Sequence, residues 1–246
     1  MITEVKEYKV SMKRPSIICD RVISEQIQPP LPRVNHTMLI LGAPGSGKTT
    51  FSMSLLLKGG SYHKVYNKVF LIIPPSSLSS LNVPLLRNHK NTYDELSKEA
   101  LDEIEDIVDK GLEKHGKDHH SLIVYDDVGA TIKSDHKLEE ELKKFCYNFR
   151  HRCRSQWFLL QTYRSLTLSC RKCATHLMIF KLNQLELETI GKEVIMWVNL
   201  KTFLEVCRHV FDANKYNKHT ALFVDLDNQK FYRFTDKTFY ELEIET

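Results

Sequence analysis

The chain has 246 residues, of which 42% are hydrophobic and 27% are charged, and these proportions exclude a wholly disordered protein. The 35 Lys and Arg residues outnumber the 31 Asp and Glu residues by four, which permits a polyanionic partner without requiring one. No apolar run approaches the roughly 18 residues that cross a bilayer. Residues 1–14 carry charges, so we expect neither a membrane span nor a secretory leader.

Six cysteines in a chain of this length are too sparse for a disulfide scaffold. The pair Cys170-x-x-Cys173 is half of a structural zinc motif, and no second well-spaced pair accompanies it. We therefore expect reduced thiols without zinc, and a protein that works in a reducing, intracellular compartment.

Residues 1–36 are polar and interrupted by prolines, and we interpret them as an N-terminal segment ahead of a single domain over residues 37–246. Within that domain, short apolar runs alternate with amphipathic stretches, a pattern typical of a mainly parallel sheet flanked by helices. The predicted strands are 37–41, 68–73, 121–125, 157–160 and 176–180. The predicted helices are 47–57, 96–112, 138–149, 184–195 and 200–211. A C-terminal β-hairpin is predicted from segments 221–224 and 230–234.

Residues 42–49 match the phosphate-binding pattern G-x-x-x-x-G-K-[ST] without a mismatch, between a predicted strand and a predicted helix. Backbone N–H groups of such a loop point at the phosphates, and its glycines allow the close approach. Lys48 is expected to reach the β- and γ-phosphates, the Thr49 hydroxyl to hold Mg²⁺, and Thr50 to contact the α-phosphate. The predicted nucleotide-binding residues are Gly42, Ala43, Pro44, Gly45, Ser46, Gly47, Lys48, Thr49 and Thr50.

Polar side chains end two of the predicted strands. Asp126 follows strand 121–125, and we expect its carboxylate to organise Mg²⁺ beside Thr49. Asp127 is placed to orient and deprotonate an attacking water. Gln161 ends the strand 157–160 and is expected to sense the γ-phosphate or hold that water. The pair Asp127 and Gln161 disfavours a nucleoside or nucleotide kinase, because transfer to a small acceptor needs no water-activating base.

Three arginines fall within five residues, at Arg150, Arg152 and Arg154. Besides a solvated basic face, two functions fit them: a catalytic arginine acting on the nucleotide of a neighbouring subunit, or sequence-independent contact with nucleic-acid phosphates. For the catalytic arginine, Arg150 is the first choice and Arg152 the second. Two stretches are candidate DNA-facing loops, residues 128–137, which contain Lys133 and Lys137, and residues 76–91.

The motifs G-A-P-G-S-G-K-T-T (42–50), L-I-V-Y-D-D (122–127), Arg150-His151 and W-F-L-L-Q (157–161) together resemble the genome-packaging ATPases of poxviruses, other large DNA viruses and virophages. That group is a branch of the FtsK–HerA superfamily. The resemblance covers residues 37–181, and Arg171 matches the arginine expected after the sensor strand. It implies an α/β fold, the RecA-like P-loop NTPase of the additional-strand (ASCE) type. Asp127 stands where cellular relatives more often have Glu.

The resemblance also implies a Mg²⁺-dependent ATPase that forms a homo-oligomeric ring, takes double-stranded DNA without sequence preference, and packages it into a preformed capsid. Capsid proteins are then its further partners, and the viral assembly site in the host cell, with the virion, its location. A DNA helicase or other ASCE motor and a non-motor ATP-binding assembly switch remain alternatives. DNA-stimulated hydrolysis separates a motor from a switch, and strand displacement identifies a helicase.

Overall fold

The computed structural model describes residues 2–8, 27–75, 77, 90–212, 217 and 219–244. The strands are β1 (Ile2–Tyr8), β2 (Thr37–Leu41), β3 (Lys68–Ile72), β4 (Thr92–Tyr93), β5 (Ser121–Asp126), β6 (Arg154–Leu160), β7 (His176–Phe180), β8 (Ala221–Asp225), β9 (Lys230–Thr235) and β10 (Thr238–Ile244). The helices are α1 (Lys48–Leu56), α2 (Lys98–His115), α3 (Gly129–Ser134), α4 (His136–Asn148), α5 (Leu168–Arg171), α6 (Gln184–Val194) and α7 (Leu200–Asp212).

The ten described strands form one sheet in the order β1-β10-β9-β8-β7-β2-β6-β5-β3-β4. The six strands from β7 to β4 in this order pair in parallel, and the other four pair antiparallel. Strand β6 lies between β2 and β5, as predicted for an additional-strand fold. Parallel pairing brings the carboxyl ends of these six strands to the same edge of the sheet, which we call the carboxyl edge; the opposite edge is the amino edge.

Helices α2, α4, α6 and α7 cover one face of the parallel strands, and α1 together with the non-helical segments 27–34 and 62–66 covers the other. This explains why β2, β5, β6 and β7 are buried along their whole length. Side chains of one strand alternate between the two cores. In β2, for example, Leu39 and Leu41 pack into the core beneath α2, α4, α6 and α7, whereas Met38 and Ile40 pack into the core that contains Phe51 of α1.

The predicted mainly parallel sheet and the C-terminal hairpin are confirmed, and the differences within the sheet include the start of β6 and two added strands. Strand β6 begins at Arg154 and not at Trp157, and the polar side chain of Gln156 is buried there by donating to the Phe145 carbonyl oxygen over 3.1 Å. A third antiparallel strand, β10, extends the hairpin. Strand β1, from the predicted N-terminal segment, pairs with β10, so that Ile2 lies opposite Ile244.

Arg154 is a charged side chain within the core, only 1% exposed. Its guanidinium lies 4.1 Å from the centre of the Phe145 ring, and Nη2 donates to the Phe145 carbonyl oxygen over 3.2 Å. Among the described residues, its Nε and Nη1 have no hydrogen-bond acceptor. Burial lowers the pKa of this guanidinium, which indicates that the charge is held at a cost.

We therefore expect Arg154→Met to leave the free energy of unfolding unchanged or to raise it. The substitution removes a buried charge, and the Phe145 carbonyl oxygen keeps its bond from Gln156. Arg154→Ala is the matched control, because its cavity should cost about 3 kcal/mol. Urea denaturation measures both variants, and an equal loss in the two would show that the charge itself stabilises the fold.

Candidate nucleotide-binding site

The glycine-rich loop connects the carboxyl end of β2 to the first residue of α1, at the carboxyl edge. The Gly42 N–H donates to the Leu160 carbonyl oxygen over 3.1 Å, which ties the loop to β6. A Cβ atom on Gly42 would lie 2.8 Å from the Cβ of Phe180, so this position admits only glycine. Gly47 precedes α1 with φ of +106°, a left-handed conformation that favours glycine.

The N-terminus of α1 opens towards this loop. Among the described residues, no side chain caps the helix at Gly47, so the first-turn N–H groups are left for another acceptor. Those N–H groups and the helix dipole favour an anion at this end. The local backbone thus has the form that the sequence motif predicts for a phosphate cradle.

Lys48 is buried within the loop, and its Nζ donates to the carbonyl oxygens of Gly42 at 2.6 Å and Ala43 at 3.2 Å. Burial lowers the pKa of the ammonium, and the nearby carboxylates of Asp126 and Asp127 oppose that shift. Lys48 therefore lies in the loop with its charge directed at acceptors that a phosphate group could replace.

Thr49 and Asp126, the two predicted metal ligands, lie side by side: the Thr49 hydroxyl donates to Asp126 Oδ2 over 3.5 Å. Burial raises the pKa of the Asp126 carboxyl to about 6, with Lys48 acting against the shift and Asp127 adding to it. Within the described part of the chain, no three His, Cys, Asp or Glu side chains form a metal cluster. One carboxylate and one hydroxyl nonetheless fit Mg²⁺, which commonly takes one or two carboxylates, waters and substrate phosphates.

Asp127 and Gln161 also meet, as the sequence predicts from their places at the ends of β5 and β6. Gln161 Nε2 donates to Asp127 Oδ2 over 3.1 Å, and both side chains are exposed. Asp127 has φ of +54°, and its N–H donates to the Leu159 carbonyl oxygen over 3.3 Å. Asp is one of the few residue types besides glycine that adopts this left-handed conformation readily.

These side chains line one open cavity of 310 Å³ at the carboxyl edge. Its lining residues are Pro44, Gly45, Lys48, Thr49, Ser77, Asp126, Asp127, Leu159 and Gln161. A cationic side chain, two carboxylates and an amide thus surround a space that is accessible to water, and this arrangement is suited to binding phosphate and activating water.

The structure does not bring Arg150 and Arg152 to this cavity. Both precede β6 and lie at the amino edge, so neither serves the site of its own subunit. Arg152 forms an ion pair with Asp109 and lies 3.6 Å from a Glu105 oxygen, and both partners belong to α2. Arg150 is exposed, with its guanidinium 5.4 Å from the centre of the Phe149 ring. A role of Arg150 across a subunit interface stays a prediction.

Arg171 is buried and bound to partners of its own chain. It is buried in α5 and donates to both carboxylate oxygens of Glu193 in α6, over 2.9 and 2.8 Å, and to the Leu166 carbonyl oxygen over 2.6 Å. Its guanidinium lies 4.7 Å from the centre of the Tyr163 ring. Bidentate pairing of this kind fixes the position of the segment that follows β6.

Two further bonds attach that segment to α6. The Tyr163 N–H donates to a carboxylate oxygen of Glu186, and Arg164 Nη2 donates to the Thr189 hydroxyl over 2.9 Å. We call residues 161–171, which follow β6, the sensor segment. Its three attachments to α6, through Tyr163, Arg164 and Arg171, could not be predicted from the sequence, because none of these residue pairs has a characteristic spacing.

The candidate DNA-facing stretch 128–137 is not a loop. It forms α3 and the first residues of α4, and Asp135 caps α4 by accepting from the backbone N–H groups of Lys137 and Leu138 over 2.9 and 3.1 Å. An Asp directly before an amphipathic stretch is a recognised start signal that should have marked this helix. Lys133 and Lys137 are exposed. Of the second candidate, residues 76–91, most lie outside the described residues.

One residue beside the glycine-rich loop, His219, was not predicted from the sequence. His219 precedes β8, and its Nδ1 lies 3.1 Å from the Ser46 carbonyl oxygen. The only available signal was topological: a strand antiparallel to β7 begins at the carboxyl edge, because Ala221 pairs with Phe180. Residues just before that strand must therefore lie near the glycine-rich loop.

Comparison with known proteins gives a family and a fold. Residues 28–238 match the family described as poxvirus A32 protein. The DNA-packaging ATPase B204 from Sulfolobus turreted icosahedral virus superposes with a TM-score of 0.57 at 16% identity, over 82% of this chain and 98% of that chain. The genome packaging NTPase B204 from Sulfolobus turreted icosahedral virus 2, in complex with ATP-gammaS, gives 0.54 at 14% identity, over 82% and 97%.

At these identities the two structures show a shared fold alone, and the predicted RecA-like P-loop fold is thereby confirmed. The predicted resemblance to viral packaging ATPases is confirmed by the family match. No curated protein sequence matches the chain. None of the described helices is long and apolar enough to cross a membrane.

The raised pKa of Asp126 predicts how stability depends on pH. In the ligand-free protein the carboxyl has a pKa of about 6 instead of 3.8, so folding favours its protonated form. The resulting stabilisation is complete below pH 3.8 and is lost as pH rises through 6. At about pH 8 the buried carboxylate costs on the order of 3 kcal/mol, so we expect Asp126→Asn, which stays neutral, to unfold at a higher temperature.

Thermal unfolding of the two proteins at about pH 8 and about pH 5 checks this expectation. The advantage of Asp126→Asn should shrink at the lower pH, where the wild-type carboxyl is mostly protonated in the folded state. An advantage of the same size at both values would show that the substitution stabilises the protein for another reason.

Proposed function

Because the chain belongs to the family of poxvirus A32 proteins, we propose that it is an ATPase whose hydrolysis drives double-stranded DNA into a preformed viral capsid. The observation that carries this proposal is the hydrogen bond between Asp127 and Gln161, in the cavity that Lys48 and Thr49 also line. A carboxylate held by an amide beside a phosphate-binding loop is suited to activating water, which a motor ATPase requires.

ATP is the proposed substrate. The loop 42–47 and the N-terminus of α1 offer backbone N–H groups to its phosphates, and Lys48 exchanges two loop carbonyl oxygens for phosphate oxygens. The packaging NTPase of the second Sulfolobus virus was solved with a nucleotide analogue, and the shared fold supports the same class of ligand here.

Thr49 and Asp126 would hold Mg²⁺ through one hydroxyl and one carboxylate oxygen. When bound, the ion supplies positive charge that neutralises the phosphate oxygens. Binding it requires the ionised form of Asp126, whose pKa burial raises. Binding of the ion would therefore favour the charged form of Asp126, which burial disfavours.

Asp127 is the proposed general base. Its carboxylate accepts from Gln161 at one oxygen, which leaves the other oxygen to accept the proton of an attacking water. The bond from Gln161 holds the carboxylate in the cavity that both side chains line. Gln161 is also the proposed sensor of the γ-phosphate, and its position in the same cavity supports this role.

The family and the exposed basic side chains support proposals for the remaining partners. We propose a homo-oligomeric ring in which Arg150 of one subunit contacts the nucleotide of the next. It is preferred to Arg152, since Arg152 is neutralised by Glu105 and Asp109 of its own chain. Exposed lysines such as Lys133 give sequence-independent contact with DNA phosphates. Assembly with capsid proteins at the viral assembly site of the host cell, and in the virion, completes this proposal.

Phosphate release with and without long duplex DNA tests the function. We expect duplex DNA to stimulate turnover, with a steep loss of stimulation as salt rises. Asp127→Asn should keep ATP affinity and lower turnover by about 100-fold or more, because only the base is lost. Lys48→Ala is the control in which ATP binding itself is lost.

Each alternative predicts a different result. ATP binding with no phosphate release in any assembly state indicates an assembly switch. Separation of the two DNA strands, measured in a strand-displacement assay, indicates a helicase. Full turnover in Asp127→Asn would remove that residue as the base.

Mixing subunits tests the arginine. Arg150→Ala and Lys48→Ala proteins are each expected to be inactive, but a mixed ring pairs an intact arginine with an intact loop, so part of the activity should return. Arg152→Ala is the matched control, since the same cluster is altered without removing the proposed contact. No recovery at any ratio, in rings shown to mix, would exclude Arg150 from this role.

A further inference from the structure

The cavity with the acidic residues accounts for only one side of the glycine-rich loop. Lys48, Thr49 and Asp126 define the end of the cradle at which the terminal phosphates and Mg²⁺ are expected. Thr50, predicted to contact the α-phosphate, comes one residue later and is exposed. The nucleoside half of the ligand must therefore leave the loop beyond Thr50, away from the acids.

His219 lies against the loop outside that cavity. Its Nδ1 is 3.1 Å from the Ser46 carbonyl oxygen, and a Cβ atom added to Gly47 would lie 3.0 Å from the same nitrogen. A carbonyl oxygen only accepts, so Nδ1 carries a proton in this contact. In the neutral ring Nε2 is then an acceptor, and the remainder of this exposed side chain faces solvent.

The position of His219 is fixed by the hairpin of β9 and β10. Its backbone N–H donates to Asn217 Oδ1 over 3.0 Å. Asn217 Nδ2 in turn donates to the Thr235 hydroxyl over 3.1 Å and to Asp236 Oδ1 over 3.3 Å. The backbone next to the imidazole is thus anchored through the Asn217 side chain, as is expected of a residue that receives a ligand.

We propose that His219 contacts the nucleoside half of the bound nucleotide, and this inference rests on the proposed ATPase function. The ring presents an apolar face for the base or ribose to pack on, and Nε2 accepts a hydrogen bond from a ribose hydroxyl or a base amino group. The contact is assigned to the nucleoside and not to the phosphates, because Nδ1 is already bound to Ser46 and the phosphates are expected on the side of the loop that Lys48 and Thr49 line.

The test compares two ligands that share their phosphates. Dissociation constants for ATP and for inorganic tripolyphosphate are measured with Mg²⁺, by displacement of a fluorescent nucleotide from the full chain. His219→Ala should weaken ATP binding roughly tenfold, and tripolyphosphate binding less than about twofold. His219→Gln keeps one donor for Ser46 and one acceptor for the nucleoside, so it should restore part of the ATP affinity.

His115→Ala is the matched control, since it removes an exposed histidine at the amino edge and should change neither constant. Equal weakening of both ligands by His219→Ala would mean that the residue only shapes the loop, and would overturn the inference. Unchanged ATP binding would overturn it as well. Wild-type protein that binds neither ligand would instead refute the proposed function, so the two failures are distinguishable.

Discussion

Parallel pairing of β2, β5, β6 and β7 is the constraint on which the rest of the molecule depends. It carries the glycine-rich loop, the two acids and the sensor amide, which are far apart in sequence, to one edge of the sheet. The loop fits there because Gly42 has no side chain to meet Phe180 and because its N–H reaches Leu160. Without parallel pairing, the loop, the acids and the amide would lie at different edges of the sheet and could not form one site.

The charged groups of the site are buried at a cost in free energy. Lys48 and Asp126 are buried beside each other, and burial moves the pKa of each towards its neutral form. The polar groups satisfy one another: the lysine bonds to loop carbonyls, and the sensor amide bonds to Asp127. A triphosphate would take the place of the loop carbonyls at Lys48 with charge-assisted bonds, and the bond from Gln161 would remain to orient Asp127.

Much of this site could be predicted from the sequence, because a phosphate-binding loop and acids at a strand end are each formed by consecutive residues. The pairs that could not be predicted join distant positions, such as Arg152 with Asp109, Arg171 with Glu193, and His219 with the loop. The predicted strand starts three residues later than β6 for a related reason. The first three residues of β6 are polar, and only tertiary contacts show that they are buried.

The three attachments of the sensor segment to α6 have a mechanical consequence. Gln161 is two residues from Tyr163, and the segment from there to Arg171 is clamped to a single helix through Glu186, Thr189 and Glu193. A helix of 11 residues is a stiff rod about 16 Å long. Any displacement that passes from the amide to Tyr163 would therefore reach α6 through bonds spread from Glu186 to Glu193, almost its whole length, and the helix would move as one body with the segment.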